Sequence, residues 1–378
     1  MDRPVLRTKL CELLGIEYPV VLAGMGPVAS LDGASTPELA AAVSNAGGLG
    51  VLGAAALSPD ELNEWIERTR RLTVKPFGVD TLLPSLAPAS GGAIDLGAEL
   101  PEAHLEFARE FRRRHGLPEA AVERPAGRGR ILARDFFRRQ LEVVLDQRVP
   151  VYVAGLGDPG VIVKEAHARG MVVMAIAGAV KHARRFVESG VDAVVAQGTE
   201  AGGHTGRIGT MVLVPQVVDA VEPRPVLAAG GIADGRGVAA ALALGASGVW
   251  CGTPFLATVE AGIDDFQKQA LVEANSDDTV VSRSYTGKPV RMLANKWAQE
   301  FDASGLKPLA LPFQGFVSMP VLYAARRARR ADIVPGIAGQ SAGVIRRIRP
   351  AAEVVEQMVR EAAELLARGL PARVRAQP

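Results

Sequence analysis

The chain has 378 residues, with 43 lysines and arginines against 41 aspartates and glutamates. That near-balance gives no support for a nucleic-acid coat or a strongly acidic partner, and 5% aromatic content leaves little for stacking single-stranded bases. No run reaches the roughly 18 apolar residues of a membrane helix, Met1-Asp2-Arg3-Pro4 opens without an apolar signal core, and Cys11 and Cys251 form no disulfide framework or zinc spacing; no membrane contact, no metal and a cytoplasmic location are expected.

Short apolar runs ending at glycine or a polar residue mark eight strands in chain order: Val20 to Ala23, Leu49 to Leu52, Phe77 to Leu82, Val149 to Ala154, Val172 to Ala177, Ala193 to Gln197, Pro225 to Ala229 and Gly248 to Gly252. Nearly all are continuously apolar, the pattern of parallel strands covered on both faces. Helical patterns lie between most of them. Thr36 to Ala46 opens on Thr-Pro and stops at Gly47; Ser58 is a candidate N-cap for the next; Val180 to Ser189 and Gly235 to Leu244 each end before a glycine and lead into a strand. Eight βα units predict a TIM (β/α)8 barrel with an inserted cap region. The absence of a Gly-x-Gly-x-x-Gly in the first unit argues against a dinucleotide fold.

Two segments break the rhythm. The barrel is expected from 1–82 and 130–258, interrupted by a proline-, glycine- and arginine-rich insertion at 83–129 and followed by a cap region at 259–335. The amphipathic helix Glu353 to Ala367, within 336–378, is expected to pack on the barrel through Val354, Val355, Met358, Ala362 and Leu365. Ten arginines face five acids between His104 and Arg139, and four more stand between Arg326 and Arg330. They read either as solvated helix faces or as a docking surface for an anionic carrier such as coenzyme A.

In a barrel the C-terminal strand ends meet at one mouth, so glycine-rich ends distant in sequence converge. They are Ala23-Gly24-Met25-Gly26, Gln197 to Gly206, Ala229-Gly230-Gly231 and Gly252-Thr253. The last two follow the seventh and eighth strands, where backbone N–H groups commonly hold phosphate. In the 197–206 stretch, predicted as a loop, Gln197 can donate and accept at the edge of a flat heterocycle, and His204 can move a proton near neutral pH. Glu200 reads chiefly as structural. His182, at a helix start facing the mouth, is a second candidate, where the helix N-terminus favours the neutral ring. His104, His115 and His167 lie in charged stretches and are expected at the surface; Cys251 is expected to be inert.

These motifs resemble the nitronate monooxygenase family. The resemblance is carried by Gln197-Gly198-Thr199-Glu200-Ala201-Gly202-Gly203-His204, by Ala228 to Gly235 and by Gly252-Thr253. It extends from Glu17-Tyr18-Pro19 through Phe77-Gly78-Val79 to Ser282 to Trp297 and Gly339-Gln340. It implies an FMN-dependent barrel that oxidises alkyl nitronates with dioxygen. By position Gln197, Gly202, Gly203, Gly230, Gly231, Gly252 and Thr253 would hold FMN, with Gly24 and Met25 beside the ring. His204 or His182 would be the catalytic histidine. The family typically has Asn where this chain has Asp80, which puts a charge near the ring if Asp80 faces it. The same loops, and Ser282 to Arg291, are also similar to FMN-dependent enoyl-acyl-carrier-protein reductases. An NAD(P)H-dependent reductase of an enoyl or related acyl thioester is therefore the alternative, and a barrel that binds a phosphorylated ligand without redox work is a second. A homodimer is compatible with all three.

Overall fold

The computed structural model describes residues 5–27, 33–83, 100–118 and 134–374. Eight parallel strands form the central sheet: β1 (Val20–Leu22), β2 (Gly50–Gly53), β3 (Phe77–Leu82), β4 (Val151–Leu156), β5 (Val172–Ala177), β6 (Ala193–Gln197), β8 (Val226–Ala229) and β9 (Gly248–Cys251). Their order is β1-β9-β8-β6-β5-β4-β3-β2. A single parallel bridge, Val21 to Leu49, joins the two ends, so the sheet closes into the TIM barrel expected from the eight apolar runs.

Continuous apolarity along each strand reflects two different burials. Val21, Val51, Val151, Val153, Val195, Leu227 and Trp250 fill the barrel interior, and Leu10, Cys11 and Leu14 of the helix Lys9–Leu14 join that cluster. The alternate residues, among them Val20, Leu52, Tyr152, Val194 and Val249, meet the outer helices. Strand parity then aims the polar exceptions. On β3, Phe77 and Val79 pack outward, so Asp80 turns toward the barrel axis. On β6, Ala193 and Val195 point inward, and Gln197 follows them to the mouth.

The helix signals read from sequence act as caps. The Thr36 hydroxyl accepts the Leu39 N–H at the start of Pro37–Asn45. Ser58 and Glu61 form a reciprocal capping box on Pro59–Leu72. The amphipathic C-terminal helix runs over Ala351–Glu364 and buries Val354, Val355, Met358 and Ala362 in the outer layer.

Above the mouth stands a second, three-stranded sheet: β7 (Gly203–His204), β10 (Thr279–Ser282) and β11 (Val290–Leu293), in the order β10-β11-β7. The predicted loop at 197–206 thus contains a two-residue strand. Its pairing partner β11 lies some ninety positions downstream, aligning Val290 with His204 and Arg291 with Gly203. Helix Glu102–Arg114, from the insertion, shares one apolar cluster with this region: Phe111 packs edge-on against Trp297 at 5.2 Å, and Phe301 and Val321 complete the contact.

The histidines expected at the surface divide. His104 is buried in that cluster, its Nε2 2.9 Å from the Lys307 carbonyl oxygen, and His115 is half-buried against Glu300. His104 lies on, and His115 just after, the helix Glu102–Arg114, whose apolar face is hidden in a charge-rich sequence. His167 is exposed and contacts Asp192 at 2.9 Å. The described arginines are largely paired: Arg109 with Glu102 and Glu106, Arg113 with Glu110, Arg114 with Glu300 and Arg330 with Asp332. That favours solvated helix faces over an open docking surface; Arg124, Arg128 and Arg130 lie outside the described residues.

Candidate active site

One cavity opens at the C-terminal mouth. Its wall includes Gly24, Met25, Gln197, Gly202, Gly203, His204, Gly230, Gly231, Gly252 and Thr253. Ten of the eleven residues singled out from sequence therefore meet in one place. The exception is His182, which is exposed on the first turn of the helix Val180–Glu188 and takes no part in the wall. Partial burial lowers its basicity, and Lys181 and Arg185 lower it further.

The glycines do two kinds of work. Gly230 and Gly231 have φ of 102° and 75°, left-handed values that L side chains avoid. They turn the chain sharply off β8, and the N–H groups of Gly231 and Thr253 find no acceptor among the described residues. Gly24, Gly198 and Gly202 are small because protein approaches them. A Cβ on Gly24 would lie 2.3 Å from the Asp80 side chain, one on Gly198 would strike Thr210, and one on Gly202 would come within 2.6 Å of Ala338. At these positions it is the chain itself that comes close.

His204 is held from three directions. Pairing with β11 fixes its backbone, the Gln197 Nε2 donates to its carbonyl oxygen at 2.8 Å, and its ring Nε2 lies 3.0 Å from the Thr286 hydroxyl. The half-buried ring loses basicity to burial and then to the Lys288 ammonium, which together bring its pKa down to about 4. It is a neutral imidazole at physiological pH.

Glu200 also lines the cavity, and its carboxylate is occupied. Both oxygens accept the Thr210 N–H at 3.0 Å and Oε2 accepts its hydroxyl at 2.7 Å, closing the start of the helix Thr210–Val221. Buried Arg291 ties the same loop down, donating to the Thr199 carbonyl at 3.1 Å and to the Thr279 hydroxyl at 2.9 Å. Cys251 is buried, and burial raises its thiol pKa, consistent with an inert group.

Several wall residues were not singled out: Gly155, Ile176 and Trp250 from the strands, Leu293 from the cap, and Ile337, Ala338 and Ser341 from the segment after it. Strand parity could have found Ile176 and Trp250. Leu293 and these C-terminal residues carry no local signal. Asp80 was noted only as a departure from the family pattern. It faces the cavity, and burial raises its pKa well above the usual carboxylate range, opposed in part by a hydrogen bond from the Gly155 backbone. Burial thus disfavours the charge expected near the ring, and among the described residues of the wall no lysine or arginine compensates an ionised carboxylate.

The closed barrel and its mouth-side cavity define a TIM-barrel enzyme, and the family match makes it a flavin-dependent oxidoreductase. The chain belongs, within that class, to the nitronate monooxygenase family, whose profile matches residues 7–361. It is 42% identical over 373 residues to the "Putative monooxygenase Rv1533" of Mycobacterium tuberculosis, covering 94% of this chain and 96% of the relative. Among solved structures it is similar to nitroalkane oxidase from Streptomyces ansochromogenes, at 34% identity and a TM-score of 0.78 over 94% of this chain and 98% of that one. FabK from Thermotoga maritima is 33% identical with a TM-score of 0.75, covering 98% of this chain and 100% of the other.

Proposed function

We propose that the cavity binds FMN and that the protein oxidises an alkyl nitronate with dioxygen, with His204 handling the substrate's proton. The observation that carries this reading is the meeting of a neutral His204 with the Gly230–Gly231 and Gly252–Thr253 turns in one cavity. The residues present fit the cofactor. The unpaired N–H groups of Gly231 and Thr253 suit a phosphate. The Thr253 hydroxyl accepts the Gly339 N–H at 2.9 Å, which leaves its own proton free to donate. Gln197, whose amide nitrogen serves His204, keeps Oε1 for the edge of a ring. Met25, Ile176 and Trp250 supply an apolar surface for a flat heterocycle and exclude water from it.

When bound, FMN supplies the electron-accepting chemistry. The chain's own groups do the rest. With the Thr286 hydroxyl accepting from Nε2–H, the His204 Nδ1 carries the lone pair that takes a proton from the Cα of a neutral nitroalkane. A nitronate is already a carbanion, so toward it the same ring orients the nitro oxygens. Both cysteines are free and buried, which suits a reducing compartment such as the cytoplasm.

The likeness to FabK along 98% of the chain favours a second reading, an NAD(P)H-dependent reductase of an enoyl or related acyl thioester. Anaerobic titration of the purified flavoprotein separates the two. Bleaching of the flavin absorbance by a nitronate alone is the expected result. Bleaching by NADPH and not by nitronate overturns the monooxygenase reading in favour of the reductase.

A further inference from the structure

Asp80 is a buried carboxyl with no counter-charge among the described residues. It is 6% exposed, and its carboxyl is wedged between two strand ends. A Cβ on Gly24 would stand 2.6 Å from Oδ2, and one on Gly155 2.4 Å from Oδ1, so glycine at both positions makes the slot that receives it. Among the described residues the cavity wall contains no lysine or arginine. Its other titratable groups are His204, neutral; Glu200, engaged by Thr210; and Cys251, held as a thiol. From β4, the Tyr152 hydroxyl is the further titratable neighbour, and it is bonded to Thr81 at 2.9 Å. The Gly155 N–H is a single partner for a group that, ionised, needs several.

Position makes this more than a packing detail. Around the closed sheet, β3 lies four strands from β8, directly across the mouth from the Gly230–Gly231 turn. A cofactor whose phosphate rested on Gly231 and Thr253 would share this cavity with Asp80 on its opposite side. We infer that Asp80 meets the bound flavin as a neutral carboxylic acid, giving a hydrogen bond from its O–H to an acceptor atom of the ring. This rests on the flavin reading above. Burial without a cation is the means by which a carboxyl is kept protonated so that it can donate.

Two measurements test it on the full chain. Infrared difference spectra of the wild-type protein at neutral pH should contain a protonated-carboxyl C=O band that disappears in Asp80→Asn. Its absence from the wild type at neutral pH overturns the proposal, whether or not the variant folds. FMN binding followed by fluorescence quenching is the second measurement. At pH 6, Asp80→Asn should bind FMN within about threefold of wild type, because an amide also donates. At alkaline pH the wild-type Kd should rise by up to about tenfold per unit as Asp80 ionises, while that of Asp80→Asn stays level. Parallel pH profiles for the two proteins would exclude the hydrogen bond to the ring. Failure of FMN to bind the wild type at any pH defeats the flavin reading itself, and the infrared band then still reports the carboxyl's protonation separately.

Discussion

The role proposed for His204 depends on an uncharged ring. Burial and Lys288 hold its pKa at about 4, so the base form is present throughout the neutral range. His204→Asn should lower turnover of a neutral nitroalkane by about 10²–10⁴-fold, the usual share of general base catalysis, with FMN occupancy unchanged. For the wild type, kcat/KM on nitroalkane should stay level from neutral pH down to about pH 5 and fall below that as the imidazole takes a proton. The same shift acts on stability. The folded pKa lies below the unfolded value of 6.5, so the unfolded chain binds more protons between the two. Stability therefore falls as pH drops from 6.5 toward 4, and His204→Asn should flatten that dependence in thermal melts. A melting profile of the variant parallel to wild type would assign the acid sensitivity to other groups.

Among the elements, the short strand β7 is the least self-sufficient. Two residues cannot form a strand alone; pairing with β11 and the two bonds from Arg291 hold Gly203–His204 over the mouth. Arg291→Leu keeps a buried apolar stem and removes both donors, leaving the Thr199 carbonyl without this partner. The expected cost is about 1–3 kcal/mol in denaturant unfolding, with a larger fall in kcat than in FMN affinity, because the histidine loses its anchor while the turns on β8 and β9 stay in place. Equal losses in both would show that Arg291 supports the cofactor side as well. Other elements were legible locally. The Thr-Pro start and Gly47 stop of Pro37–Asn45, and the Ser58–Glu61 box, are contacts within four residues along the chain, so their signals survive in one dimension.

For the whole molecule, the cap is a second apolar cluster built from segments nearly two hundred positions apart. Phe111 is fully buried in it against Trp297 and close to His115. Phe111→Ala should cost about 3–5 kcal/mol as a large-to-small core change. Because that cluster stands over the mouth, the variant should also raise KM while the barrel keeps its flavin. An unchanged denaturation midpoint would mean that the helix Glu102–Arg114 contributes nothing to the cap. The barrel draws its stability from other contacts, the interior cluster and the outer helical layer.

The barrel was readable from the amino acids alone because its signals are local and periodic. Eight apolar runs of strand length alternate with capped helices, and a parallel sheet closed by its own strands has one mouth where glycine-rich ends must meet. His204, Gln197 and the Gly230–Gly231 and Gly252–Thr253 turns were found that way. Three-dimensional packing decided the remainder. It left the His182 side chain exposed and outside the cavity wall, and drew Gly203–His204 into a strand with a partner far along the chain. It also buried His104, and it buried Asp80 with no cation beside it among the described residues, which disfavours the charge expected there. Burial and long-range pairing are properties of neighbours in space, and the order of residues along the chain does not encode them locally.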